Sequence, residues 1–104
     1  KGLILLMDIR HPLKDYDRQM IEWAAVSEMP VHILLTKCDK LKRGPAKTAL
    51  LGVKKELKAH ERWISVQLFS SHNHEGMDEL QRTLNWWLTL PEDDVAAIED
   101  DLAD

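Results

Sequence analysis

The sequence has a single cysteine, Cys38, and no long apolar run. One cysteine excludes an internal disulfide framework and is typical of proteins in a reducing compartment. The longest apolar segment, Leu3–Met7, is far shorter than the roughly 20 residues of a membrane helix, and no signal-peptide pattern is present. We therefore expect a cytoplasmic protein of one small domain, without a membrane partner.

The chain also lacks the motifs that commonly hold phosphate and its magnesium ion. Neither G-x-x-x-x-G-K-[ST] nor D-x-x-G occurs, and the nearest approach, Gly44–Thr48, has no glycine before its lysine. Cys38, His72 and His74 do not follow a recognised zinc spacing. The sequence therefore predicts neither a catalytic residue nor a metal ligand in this chain. Three further histidines are expected at the surface or at the margin of the core: His11, His32 and His60.

Acidic and basic residues are unevenly distributed. Residues 91–104 contain seven acidic side chains and no basic one, and few apolar groups offset the entropy of ordering them. We predict that this segment is a disordered acidic tail and that residues 1–90 form the folded part. Residues 1–90 hold 14 basic and 11 acidic side chains, a net charge of +3. Eight of the basic residues lie between Lys37 and Lys58, where they form either a surface for an anionic partner such as RNA or a solvated helix face.

The apolar pattern predicts three repeats of a strand, a loop and a helix. The first helix begins near Asp15 or Asp17 as N-cap, and the second begins with Gly44 as N-cap and Pro45 at the first helical position. The third helix runs from about Gly76 to Leu88, with these residues facing inward: Met77, Leu80, Leu84, Trp87 and Leu88. The predicted strands are Leu3–Met7, Val31–Leu35 and Ile64–Phe69.

This alternation predicts an α/β fold with a parallel sheet and right-handed crossovers. Strands as continuously apolar as Leu3–Met7 usually have both faces covered and a neighbour on each side. A sheet of only three strands with three helices would not give each such strand the neighbours that it needs. We therefore expect the chain to be half of a domain.

The most informative motif, Thr36-Lys37-Cys38-Asp39, closes the second predicted strand. Ligands of open parallel sheets bind beyond the carboxyl ends of the strands. A carboxylate at Asp39 can accept two parallel hydrogen bonds from N1–H and the 2-amino group of guanine, donors that adenine lacks. Lys37 can lay its aliphatic stem over the purine, and the Thr36 hydroxyl can hold neighbouring loops together. The alternative is a solvated turn with a capping aspartate.

A second loop, Ser70–Gly76, follows the third predicted strand and is expected beside the first. Ser70 is predicted to brace the Asp39 carboxylate. The loop resembles the turn from which GTP-binding proteins offer a backbone N–H to guanine O6, and this resemblance implies Ser71 as the donor. His72 is the next candidate for such a contact. A serine N-cap followed by a polar turn is the simpler explanation of this loop taken alone.

These loops and the first segment together resemble the YihA/EngB family of bacterial GTP-binding proteins. The resemblance covers nearly all of residues 1–90 and is most specific in its first segment. Cys38 stands where the family often has alanine, and His72–His74 replaces basic residues of the family. The matching stretches are Leu5–Asp15 followed by Asp17, Met20 and Trp23, then Leu34–Leu41, then Phe69–Ser71 followed by Gly76.

The resemblance implies the C-terminal half of a Ras-like P-loop GTPase domain. It also implies GTP or GDP as ligand, Mg²⁺ held by an N-terminal half, and action on the precursor of the large ribosomal subunit through its RNA. A monomer when complete, and a role in cell division and septation, are further implications. The complete protein is then expected to hydrolyse GTP, whereas this segment supplies base recognition and is not expected to do so alone.

Two alternatives remain open. One is a circularly permuted ribosome-assembly GTPase, in which a D-x-R-x-P element such as Asp8–Pro12 and the base motif precede the phosphate loop. The other is a non-enzymatic binding module that keeps this edge of the sheet but has lost catalysis. An upstream phosphate loop would distinguish a GTPase from such a module.

Overall fold

The computed structural model describes residues 2–88 and 95–99. Its α/β alternation is the one predicted, and the elements differ from the predicted bounds by one to a few residues. The elements in chain order are β1 (Gly2–Asp8), α1 (Asp15–Val26), β2 (Val31–Thr36), α2 (Arg43–Glu56), β3 (Ile64–Leu68), α3 (Met77–Leu88) and β4 (Val95–Glu99). Single 3₁₀ turns occupy Cys38–Lys40 and Lys58–His60.

The strands form one sheet in the order β3-β2-β1-β4, and every pair is parallel. The register aligns Asp8 with Thr36 and Leu35 with Leu68. As a result, the carboxyl ends of β1, β2 and β3 lie at the same edge of the sheet. This alignment brings the two candidate loops together.

Strand β4 is a feature that the sequence pattern did not predict. It lies within residues 91–104, which we expected to be disordered, and it pairs with β1 from Gly2↔Val95 to Leu6↔Glu99. Over Val95–Glu99 the expectation of disorder is therefore wrong. The other residues of that segment lie outside the described part of the chain. The apolar β1 strand, as expected, has a neighbour on each side.

The starts of the first two helices differ from the prediction. The N-cap residues are Lys14 and Lys42 rather than the predicted aspartate and Gly44. Asp17 instead lies at the third helical position, where its Oδ2 accepts the backbone N–H of Lys14 at 2.9 Å. Pro45 also lies in the first turn of α2, where its missing N–H has no intrahelical partner to lose.

The helices cover both faces of the sheet. Helices α1 and α2 pack on one face in the larger apolar cluster, which contains Leu5, Ile33 and Val53. Helix α3 packs on the other face in a smaller cluster built on Ile4, Leu34 and Trp87, with Leu80 and Leu84 packed against it.

Two tryptophans at the end of α3 point in different directions. Trp87 is 4% exposed and Trp86 is 66% exposed, as expected for adjacent helical residues that cannot both face one core. A Cβ at Gly2 would lie 2.7 Å from the Trp87 ring, so this close approach requires glycine. Met77, which we expected to face inward, is 44% exposed because it lies at the first position of the helix, beyond the apolar cluster.

Candidate functional site

Two backbone hydrogen bonds join the loops that follow β2 and β3. The N–H of Phe69 donates to Leu35 O at 3.0 Å, and the N–H of Cys38 donates to Phe69 O at 3.2 Å. These bonds extend the pairing of the strands past their ends. They place Asp39 and Ser70 side by side, as the order of strands predicted.

The predicted brace between Ser70 and Asp39 is present. Ser70 Oγ donates to Asp39 Oδ1 at 2.7 Å, and the same oxygen accepts the backbone N–H groups of His72 at 3.2 Å and Asn73 at 3.3 Å. Ser70 is fully buried. One hydroxyl therefore orders both the carboxylate and the turn that faces it.

The hydrogen bond from Ser70 lowers the pKa of the Asp39 carboxyl below its ordinary value, more than its partial burial raises it. Asp39 is therefore a carboxylate at neutral pH, and an ionised carboxylate offers acceptors only.

Lys37 has a left-handed backbone, with φ of 60° and ψ of 33°. Few residues other than glycine adopt this conformation, and such outliers concentrate at functional sites. The Lys37 Nζ lies 3.7 Å from Asp8 Oδ2, so the side chain reaches back over the end of β1. The sequence pattern did not predict this contact, because Asp8 is placed beside the motif by the register of the sheet, in which Asp8 pairs with Thr36.

Asp8 itself is held by Arg10, as an aspartate and an arginine two residues apart suggest. Arg10 Nη2 donates to Asp8 Oδ2 at 2.6 Å and Arg10 Nε donates to Oδ1 at 3.0 Å. Asp8 is 1% exposed, so its charge depends on these partners. The loop after β1 thereby joins the site through Lys37.

Thr36 contributes to the same edge. Its Oγ1 donates to Met7 O at 3.1 Å and ties the end of β2 to β1. Ser71 and His72 are exposed at the tip of the second loop. The N–H of His72 is hydrogen-bonded to Ser70 Oγ at 3.2 Å and is therefore engaged within the loop.

Cys38, within the first loop, is buried. Burial raises the pKa of its thiol to about 11, and the hydrogen bond from Sγ to Glu75 Oε1, at 3.4 Å, acts in the same direction. A thiol that stays protonated is a poor metal ligand. Within residues 2–88 and 95–99, no group of three His, Cys, Asp or Glu side chains is placed to hold a metal ion.

Comparison with known proteins finds relatives that share this region. The chain is 52% identical over 97 residues to the probable GTP-binding protein EngB of Aromatoleum aromaticum, covering 93% of this chain and 45% of that protein. The probable EngB of an Azoarcus species is 53% identical over 88 residues, with coverage of 84% and 42%. That of Acinetobacter baylyi is 58% identical over 80 residues, with coverage of 77% and 34%. No family model matches the chain.

The chain thus spans less than half the length of these curated relatives. The identity is high over nearly the whole of this chain, and it coincides with a parallel α/β sheet whose loops carry the predicted base motif. The chain therefore belongs to the EngB family, and its parallel α/β sheet is consistent with part of a Ras-like GTPase domain.

Proposed function

We propose that this chain recognises the guanine base of GTP or GDP through Asp39. The observation that carries the proposal is the ionised carboxylate held by Ser70 Oγ at 2.7 Å at the carboxyl edge of the sheet. Its two oxygens match the N1–H and 2-amino donors of guanine. Adenine leaves both acceptors unpaired, a mismatch that strongly disfavours binding.

Neighbouring residues complete the base site in this proposal. Lys37 lays its stem over the purine plane, and its contact with Asp8 at 3.7 Å fixes where that stem lies. Thr36 anchors the first loop through Met7 O. Ser71 offers its backbone N–H to guanine O6, and His72 supports the turn through its bond to Ser70.

We further propose that the complete protein is a cytoplasmic GTPase that acts, as a monomer, in assembly of the large ribosomal subunit. The three relatives are named as probable GTP-binding proteins, and the basic stretch from Lys37 to Lys58 suits a contact with RNA. The described residues include no helix suited to crossing a bilayer.

The catalytic and phosphate-binding parts are assigned outside this chain. The sequence contains no phosphate loop, and the described residues do not form a cluster that fits Mg²⁺. We therefore propose that Mg²⁺ and the hydrolytic water bind in an N-terminal half of the complete protein, which this chain does not include. A link to cell division and septation belongs to the same proposal.

The test replaces a hydrogen-bond acceptor of the Asp39 side chain with a hydrogen-bond donor. Asp39→Asn replaces one carboxylate oxygen with an amide that can donate to the C2 oxygen of xanthine. We expect the unaltered chain to prefer guanosine monophosphate to xanthosine monophosphate by at least about tenfold, and Asp39→Asn to reverse that preference, since each mismatch leaves a buried polar group unpaired. Titrations followed by nitrogen-edited NMR measure both dissociation constants even when binding is weak.

The matched control is Asp78→Asn, the same substitution at an exposed residue of α3. It is expected to leave the preference for guanine unchanged. A guanine preference that persists in Asp39→Asn would refute the proposal.

A further inference from the structure

A buried polar network lies beneath the second loop, on the face of the sheet covered by α3. His32 of β2 and Gln67 of β3 are 1% and 2% exposed. His32 Nε2 lies 2.6 Å from Gln67 Oε1, and His32 Nδ1 lies 2.6 Å from Ser65 Oγ. Both residues occupy positions where an apolar side chain would be the ordinary choice.

The direction of these hydrogen bonds follows from the amide of Gln67. Its Nε2 donates to Leu68 O at 3.0 Å and to Gly76 O at 2.8 Å, so its oxygen must face His32. His32 therefore carries a proton on Nε2 and donates it to Gln67. In the neutral ring, which burial favours by lowering the pKa of His32, Nδ1 then accepts the Ser65 hydroxyl.

The bond to Gly76 closes the loop that carries Ser70. Gly76 has a φ of +84°, and a Cβ there would overlap Leu68 O and lie 2.6 Å from Gln67 Nε2. Where the two ends of this loop meet, the N–H of Ser70 also donates to Glu75 O at 2.9 Å. The amide of Gln67 thus spans the base of the loop from β3 to the start of α3.

We propose that Gln67, held in orientation by His32, is a positioning residue for the base site. It holds the two ends of the loop together so that Ser70 Oγ faces Asp39. This inference rests on the proposed function of Asp39. The physical reason is that a buried amide with all of its hydrogen bonds made specifies one arrangement, whereas an apolar residue of the same size tolerates several.

The test is the variant Gln67→Met, which keeps the length of the side chain and removes the two amide donors and the acceptor. The measured quantity is the ratio of the dissociation constants of inosine monophosphate and guanosine monophosphate, obtained by NMR titration of the 104-residue chain. Inosine lacks the 2-amino group, so the ratio reports how well the Asp39 carboxylate is placed.

We expect Gln67→Met to lower this ratio by about tenfold, the equivalent of one hydrogen bond to a charged group. The matched control is Gln81→Met, at an exposed position on α3, which is expected to keep the ratio. A role confined to stability would lower the melting temperature of Gln67→Met and leave the ratio of the folded protein unchanged. That result would overturn the inference.

If Gln67→Met does not fold, Ser65→Ala decides the question. Ser65 is exposed. Its substitution by alanine removes only the hydrogen bond to His32 Nδ1, so we expect a smaller fall in the ratio, about twofold to threefold. An unchanged ratio in a Ser65→Ala protein would then overturn the inference. Absence of any guanine preference in the unaltered chain would instead refute the proposed function, and this inference with it.

Discussion

The two faces of the sheet differ in the kinds of side chain that they bury. The face under α1 and α2 carries a large apolar cluster, in which Leu5 and Ile33 are fully buried. The face under α3 has a smaller apolar cluster and shares its space with the buried polar pair His32 and Gln67. The first face supplies apolar burial, whereas the second contains the hydrogen bond from Gln67 Nε2 to Gly76 O at the base of the second loop.

The largest expected effect is on the apolar face. Leu5→Ala should reduce the free energy of unfolding by about 2–5 kcal/mol, since it removes buried methyl groups and leaves a cavity. The preference of the folded fraction for guanine should remain. Urea denaturation together with the NMR titration measures both quantities. The control is Leu51→Ala at a position that is 56% exposed, where the loss should stay within about 0.5 kcal/mol. A loss of base preference in folded Leu5→Ala would contradict the division between the faces.

The second prediction concerns Lys37, which contacts Asp8 at the end of β1. Lys37→Ala and Lys37→Gly both remove that contact, but only glycine adopts the left-handed backbone without cost. We expect Lys37→Gly to be more stable to urea than Lys37→Ala by about 1 kcal/mol, while both bind guanosine monophosphate more weakly. Equal stability of the two variants would show that the left-handed backbone at residue 37 carries no strain.

The last prediction is a pH dependence that arises on the polar face. Burial lowers the pKa of His32 in the folded protein, whereas the unfolded chain keeps a value of about 6.5. Between the two values the unfolded state binds the extra proton, so stability is fully present above pH ~6.5 and falls as the pH drops, by at most about 1.4 kcal/mol per unit. The difference in unfolding free energy between the unaltered chain and His32→Gln, measured from pH 8 to pH 5, isolates this contribution. A difference that does not change with pH would contradict it.

The apolar face and the first loop were the parts most open to prediction. Val31 to Leu35 reads as a strand buried on both sides, and Thr36–Asp39 follows it at the edge where ligands bind. The bond between Ser70 and Asp39 followed from the order of the strands. The helix starts were less predictable, because Lys14 and Lys42 are not residues that favour the N-cap.

The polar face resisted prediction for a different reason. His32 was expected at the surface or the margin of the core, yet it is 1% exposed. A lone histidine in an apolar run carries no sign of its partner, and Gln67 lies 35 residues further along the chain. Strand β4 was missed because an acidic segment favours disorder locally, while its pairing with the edge of β1 is a long-range contact.

By itself the sequence determined the alternation of strands and helices, the apolar sides of the strands and the family of the chain, because apolar periodicity and short motifs are local properties. Only the tertiary structure decided that Asp8 reaches Lys37, that Gln67 closes the loop before α3, and that β4 pairs with β1. Two of these contacts join residues distant in sequence, and the third joins Gln67 to Gly76 across the intervening loop. A polar side chain specifies a partner only when the fold brings one within hydrogen-bonding distance and excludes water.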